Sequence, residues 1–492
     1  MSHVFCISTS TIMGLAVAVL TTTASGDVAA AETSQPNILF CLADNHSWLH
    51  VGAMGNRAIK TPAFDRVARE GALFTHAFAC AASCTPSRSG ILTGQDIWRL
   101  EQGANLFGTL PAKFTVYPDL LKEAGYHIGY AGKGWGPGRF EPGGRTRNPA
   151  GPKYVDFKSY LDARSPGKPF YFWMGILRRP PADVDSGEKD RLKRVEVPPF
   201  LPDNDVVRRH FVEYFAKIEV YDQMVQSILD TLDETGELDN TLIVYTCDNG
   251  MDFPRCYPNL YDTGTHEYLA IHWANKVKPG RTVDDFVNLI DLGPTFLEAA
   301  GVDVPAPMTG RSLLPILLSD KSGRVDPNRD HVITARERHD WCRENGVGYP
   351  SRAIRTYDYL YIRNYEPDRW PAGSPVLSNE SEGLYSDCDR STTKDYMMAH
   401  HSDPDVRPLY RLAFAKRPAE ELYDLSRDPH QMKNVASDAS YHVIKSQLAS
   451  RLEEHLKLGG DPRALGRKAP WDAYPYYGRT KLTFDPDAFV PQ

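Results

Sequence analysis

Positive charge is scarce in this chain: 56 lysines and arginines face 63 aspartates and glutamates, giving a formal net charge of −7. A mildly acidic protein with an isoelectric point near 6.1 offers no general electrostatic attraction to nucleic acid. Long apolar runs are missing too. The first, from Ile12 to Leu20, is too short to span a bilayer, and no later stretch is apolar enough. Lysine and arginine are absent ahead of that run. Small residues and Ala29-Ala30-Ala31 follow it, the pattern of a secretory signal over residues 1–31 cleaved before Glu32. Cleavage removes Asp27 and takes the charge from −7 to −6. Internal repeats and low-complexity tracts are absent, and 41% hydrophobic with 24% charged residues excludes a largely disordered chain. An even cysteine count is lacking as well. Of eight cysteines, Cys6 falls in the leader, so the remaining seven leave at least one unpaired in an exported protein. Cys41 and Cys247 sit in apolar runs and read as inert small hydrophobes. Cys80, Cys256, Cys342 and Cys388 are candidates for bridges whose pairing the sequence leaves open. Cys84 stands apart.

A chain of 492 residues exceeds what one core usually serves, so a large and a smaller domain are expected. Three short apolar runs, Asn37 to Ala43, Phe170 to Met174 and Thr241 to Thr246, read as strands buried on both faces. Helical patterns separate them. Thr61-Pro62 opens one helix and Gly71 closes it. Ile218, Tyr221, Val225, Ile228, Leu229 and Leu232 repeat at helical spacing in another. Such alternation predicts an α/β fold, a large mostly parallel sheet sandwiched by helices, over residues 32–351. Past Arg352 the texture changes. Ala353 to Arg355 and Leu360 to Arg363 read as paired strands, and a polar stretch runs from Pro367 to Pro418. Glu421 to Leu425 and an amphipathic helix from Tyr441 to Leu458 complete a smaller antiparallel sheet plus helix over 352–470, with 471–492 as a tail.

Ligands of parallel sheets gather at the carboxyl ends of strands. Two strands end in oxygen-rich pairs, Asp44-Asn45 and Asp248-Asn249. Carboxylate and amide oxygens are hard ligands that suit Ca2+, or Mg2+, more than zinc. Either pair alone also reads as turn chemistry at a strand end; two at equivalent positions read as a metal site. Cys84-Thr85-Pro86-Ser87-Arg88 precedes Ile91-Leu92-Thr93-Gly94, a short helix with Pro86 in its first turn and Gly94 past its end. Cys84 then lies at a helix N-terminus, where free amides and the macrodipole favour an anion. From the residues alone a reactive thiol is one explanation.

Cys84-Thr-Pro-Ser-Arg with Leu92-Thr93-Gly94 resembles the signature of the formylglycine-dependent sulfatases, within the alkaline-phosphatase-like superfamily. The likeness extends through Pro36 to Leu39 leading to Asp44, Gly132-Lys133, Gly310 to Pro315, and Glu421 to Leu425. Asp248-Asn249-Gly250 with Phe253-Pro254 and Asn259-Leu260-Tyr261 is similar to the N-sulfoglucosamine sulfohydrolase (heparan N-sulfatase) branch. The resemblance implies that a maturing enzyme oxidises Cys84 to formylglycine and that one divalent cation is held by Asp44, Asn45, residue 84, Asp248 and Asn249. It implies that the hydrated aldehyde attacks sulfur and that Arg88 and Lys133 stabilise the charge that grows. The implied substrate is a sulfated saccharide.

Four positions depart from that pattern. Trp135 stands where the family has a histidine two residues beyond the lysine, and Arg178-Arg179-Pro180-Pro181 replaces a Pro-His pair. Tyr257 takes the place of a lysine, and Asn45 that of a second aspartate. General-acid help is worth roughly 10²–10⁴-fold. Arg178 or Arg179 is therefore assigned the lost sulfate contact, and His46 or His266 the proton donor. Two competing readings follow: a phosphate or phosphonate ester hydrolase on the same scaffold, and a catalytically impaired sugar-binding relative.

Overall fold

The computed structural model describes Met1 and residues 35–176, 188–486 and 488–490. The signal-peptide expectation and the Arg178-Arg179 assignment lie outside the described residues. Residues Gln35–Gln492 form one compact unit. None of its described helices is long and apolar enough to cross a membrane.

Nine strands build the large sheet: β1 (Asn37–Ala43), β2 (Ala72–Phe78), β3 (His127–Ala131), β4 (Lys153–Tyr154), β5 (Phe170–Gly175), β6 (Thr241–Cys247), β7 (His266–His272), β8 (Arg281–Val283) and β9 (Val287–Asn288). Their order is β4-β3-β5-β1-β6-β7-β2-β8, with β9 also paired to β2. β1 lies parallel between β5 and β6, in register Leu42 with Gly175 and Ala43 with Cys247. β7 runs antiparallel to both β6 and β2, which restores β2 to the direction of β1. The central strands are apolar on both faces because helices cover both. One core packs Phe40, Leu42, Trp173 and Val244 against Phe296, and the other packs Leu39, Phe172 and Ile243 against Leu229 and against Phe64 of helix α1 (Pro62–Glu70). The three short apolar runs are strands at nearly the predicted bounds, and the mostly parallel sheet is the predicted one.

Six further strands follow: β10 (His331–Arg336), β11 (Ser351–Thr356), β12 (Tyr359–Asn364), β13 (Leu377–Asn379), β14 (Glu420–Asp424) and β15 (Leu482–Phe484). β10-β11-β12-β14 is the smaller antiparallel sheet, backed by the helix His442–Leu458. β13 pairs with β15 near the chain end. The smaller sheet draws its first strand from His331–Arg336, upstream of residue 352. A single bridge between Ala81 and Ala335 ties it to the segment leading into Cys84.

The bridge candidates among the cysteines are corrected by the structure. All seven described cysteines are free and buried. Cys80 packs with Ile97 and Ile290 while Cys256 and Cys388 join an apolar cluster around Phe211 and Phe253, so each acts as a small hydrophobe.

Candidate active site

All the predicted nucleophile-side residues meet at the carboxyl ends of strands in the large sheet. β1 delivers Asp44 and Asn45, β6 delivers Asp248 and Asn249, and β3 delivers Lys133. β2 leads through Ala79–Ser83 into helix α2 (Cys84–Thr93). Every residue of α2 is buried, including Thr85, Ser87, Arg88, Ser89 and Thr93. A helix buried on all sides needs partners for its polar groups, and they are there. Ser87 donates to the Asp248 carbonyl at 2.5 Å, and Ser89 and Thr93 donate back along the helix at 2.8 Å each. Gly94 closes the helix at φ +61°, in the left-handed region where glycine carries no penalty.

Arg88 organises the site. It is fully buried, and its Nε donates to Asp248 at 2.6 Å. Nη1 donates to the carbonyls of Lys133 and Gly134, and Nη2 to the Ala43 carbonyl and to Asp44 Oδ1 at 3.3 Å. Lys133 Nζ donates to the same Asp44 oxygen. The backbone permits this through close approach: a Cβ on Gly175 would lie 2.0 Å from the Lys133 carbonyl. Burial pushes the Asp44 carboxyl up, but Lys133 and then Arg88 outweigh it and hold it well below the usual range. Burial also pushes the Cys84 thiol well above its ordinary value.

Ligand atoms of Asp44, Cys84 and Asp248 lie within 4.8 Å of one another. Cys84 Sγ sits 3.5 Å from Asp44 Oδ1 and 3.6 Å from Asn45 Oδ1. Asn249 Oδ1 is buried without a hydrogen-bond partner, although its Nδ2 donates to Asn45 Oδ1 at 2.8 Å. An orphaned amide oxygen beside two carboxylates is a donor set that fits a hard divalent cation.

His46 is buried among Tyr214, Tyr221 and Tyr268, with Nδ1 3.0 Å from the Tyr268 hydroxyl, and burial pushes it down to about 3. His266 is stacked between Trp48 at 4.4 Å and Phe78 at 4.3 Å, and its Nε2 meets the Thr75 carbonyl at 2.8 Å. Both are buried histidines with one ring nitrogen held by a neighbour, whereas His266 Nδ1 has no hydrogen-bond partner and lies 3.8 Å from Asp262 Oδ2. Trp135 fills its place by packing: its Nε1 donates to Ser89 Oγ at 2.8 Å on the flank of α2.

One histidine escaped sequence reasoning. His339 Nδ1 lies 2.8 Å from Ser83 Oγ, the residue before Cys84, and its ring meets Tyr257 edge-on at 4.7 Å. Tyr257 in turn packs against Cys84 and Leu106. His339 comes from the loop after β10, 256 residues from Ser83, so no spacing announces it. The only signal available is that β10 is bridged to the Cys84 turn.

A mostly parallel sheet with an anion-favouring helix end and an oxygen cage at its strand tips defines a metal-assisted hydrolase scaffold. The chain belongs to the sulfatase family, whose model matches residues 36–139 and 153–302. Residues 258–372 further match the family model for the C-terminal region of N-sulphoglucosamine sulphohydrolase. Curated relatives include an ulvan-active sulfatase of Formosa agariphila, 29% identical over 449 residues that cover 88% of this chain and 82% of the relative. The human N-sulphoglucosamine sulphohydrolase is 28% identical over 482 residues, covering 87% of this chain and 91% of the relative. Among solved structures, a protein in complex with its substrate D-glucosamine-2-N,6-O-disulfate aligns with TM-score 0.61 at 21% identity, covering 87% of this chain and 98% of that one. A phosphonate monoester hydrolase of Agrobacterium radiobacter aligns with TM-score 0.64 at 17% identity, covering 86% and 96%. These two show a shared fold.

Proposed function

We propose that this sulfuric ester hydrolase is exported and removes O- or N-sulfate from a sulfated saccharide, with residue 84 as formylglycine and one divalent cation, Ca2+ or Mg2+. The observation that carries the reading is the buried Arg88, which clamps both metal-side carboxylates and the Lys133 backbone around Cys84. Asp44, Asn45, Asp248, Asn249 and residue 84 would hold the cation, which supplies positive charge to a hydroxyl nucleophile and to the sulfate. Formylglycine supplies, once hydrated, a diol whose second hydroxyl can expel sulfate.

The chain's own residues do the rest. Arg88 remains charged at any working pH and fixes the oxygen cage before substrate arrives, so little reorganisation is left for the reaction. Lys133 is a quarter exposed, and Asp44 keeps its ammonium charged and aimed at the nucleophile. Both cations oppose the negative charge that builds on the sulfate oxygens. His339 braces the turn before residue 84 through Ser83 and backs Tyr257, which walls the nucleophile.

Two measurements test the reading together. Peptide mass spectrometry across Cys84, after co-expression with a formylglycine-generating or anaerobic maturing enzyme, should show the aldehyde. Sulfate release should then be seen from a sulfated glycan panel and not from matched phosphodiesters and phosphonates. An unmodified thiol under conditions that convert a known sulfatase, or preference for the phosphorus esters, would overturn it.

A further inference from the structure

A row of three partly exposed aromatic rings begins beside the nucleophile. Phe107 packs on the Cys84–Tyr257 cluster, Tyr476 lies 5.3 Å from Phe107, and Trp341 lies 5.6 Å from Tyr476. They come from three distant parts of the chain, and the protein spends several devices on holding them together. Phe107 sits at φ +51°, a region that bulky side chains avoid, and its carbonyl accepts from the Tyr477 amide at 2.9 Å. Asp340 Oδ1 accepts both the Tyr476 hydroxyl and the Trp341 amide, and its Oδ2 accepts Asn379 Nδ2 at 3.2 Å. The Arg338 guanidinium lies 5.4 Å from the Tyr476 ring and 5.7 Å from the Trp341 ring, while its Nη2 donates to the carbonyls of Tyr474 and Pro475 at 2.9 Å. Asp340 and Arg338 are buried, whereas the rings they fix are not.

Polar groups turned inward and rigid rings turned partly outward make a preorganised binding shelf rather than a stretch of core. Neighbouring rings are tilted by 57° and 47° to one another, each offers an apolar face of the kind that stacks on the C–H face of a pyranose ring, and the row starts beside residue 84. We propose that Phe107, Tyr476 and Trp341 form a saccharide subsite that stacks a sugar ring of the substrate and sets which saccharide is accepted. This rests on the saccharide reading above. The segment Trp471–Tyr477 is thereby part of the binding site: Asn105 Nδ2 donates to the Trp471 carbonyl at 2.9 Å and anchors it beside Phe107.

The test separates this inference from the reading it rests on by measuring binding without chemistry. The full chain, expressed without a maturing enzyme so that Cys84 stays a thiol, is titrated calorimetrically with ulvan-type and heparan-type oligosaccharides and with their desulfated counterparts. Tyr476→Ala and Trp341→Ala should each weaken saccharide binding at least tenfold. Tyr476→Phe keeps the ring, loses the Asp340 bond, and should weaken it less than Tyr476→Ala. In the matured enzyme, kcat/KM for the saccharide relative to a small aryl sulfate should fall at least tenfold in both alanine variants. Ring-dependent binding with no sulfate release from matured wild type would sink the sulfatase reading and leave the subsite standing. Saccharide affinity unchanged in folded alanine variants, no ring-dependent binding of any saccharide, or a parallel fall for aryl sulfate and saccharide would overturn the subsite.

Discussion

Replacing Arg88 by lysine keeps the charge and removes the geometry. The guanidinium makes five donations, to Asp248, Asp44 and three backbone carbonyls, from a position with no solvent access. A lysine ammonium has three donors on one atom, so at least two buried acceptors lose their partner. Each such loss costs about 1–3 kcal/mol, or roughly 2–6 kcal/mol for two. Unfolding entropy of about 2.1 cal/mol/K per residue gives a unit of roughly 450 residues about 1 kcal/mol/K, so Arg88→Lys should melt roughly 2–6 °C below wild type. Arg88→Ala should fall further, because it removes all five donors and strands the Asp248 carboxylate, and breaking a buried pair costs about 3–5 kcal/mol. The melts are run by calorimetry on unmatured protein, so that catalysis plays no part. A drop under about 1 °C for Arg88→Lys, or equal melting of the lysine and alanine variants, would refute the account of Arg88 as the clamp of the site.

Chelation of divalent cations should lower the melting temperature, and added Ca2+ should restore it in a concentration-dependent way; a chelator-insensitive melt would count against the oxygen cage as a cation site. Gly175→Ala should cut turnover by at least tenfold, because the new Cβ would meet the Lys133 carbonyl at 2.0 Å and displace that lysine; full activity would show that the approach tolerates a methyl group. Stability should fall as the pH drops from about 6.5 toward 3. His50, which lies among Phe211, Tyr214 and Phe215, is pushed down to about 3 by burial, so the unfolded chain takes up its proton first. In a comparison of melting against pH, His50→Phe should therefore lose less stability than wild type across that window; identical acid limbs would show that His50 is not a source of the acid sensitivity.

Much of the fold was legible because its signals are local. The runs Asn37 to Ala43 and Thr241 to Cys247 are mostly apolar and buried throughout since helices cover both faces, and each ends where an Asp-Asn pair begins. Pro86 and Gly94 marked the ends of α2 by backbone chemistry alone. What stayed hidden depends on tertiary neighbours. His46 and His266 have the residue type of an acid, but only the structure shows Tyr268 and Thr75 each engaging one of their ring nitrogens. Trp135 was visible as a departure, while its bond to Ser89 was not. His339, Trp341 and Tyr476 sit on irregular segments with no period to betray them: the first two follow β10, which is bridged to Ala81 before Cys84, and Tyr476 lies on the segment that Asn105 and Phe107 hold.

The complete burial of α2 also bears on timing. Cys84 retains 3% of its surface and its nine successors in the helix are buried with it, packed against the turn after β6 and the helix Leu292–Ala299, both synthesised well after it. On the formylglycine reading proposed above, an enzyme that must grip Cys84-Thr85-Pro86-Ser87-Arg88 as a peptide would have access only while the chain is open. Folding and modification are then rivals for the same segment, and a molecule that closes with its thiol intact has no way back short of unfolding. The catalytic competence of a population of this protein would thus be a record of which process won in each copy, set once during biogenesis and not adjustable afterwards.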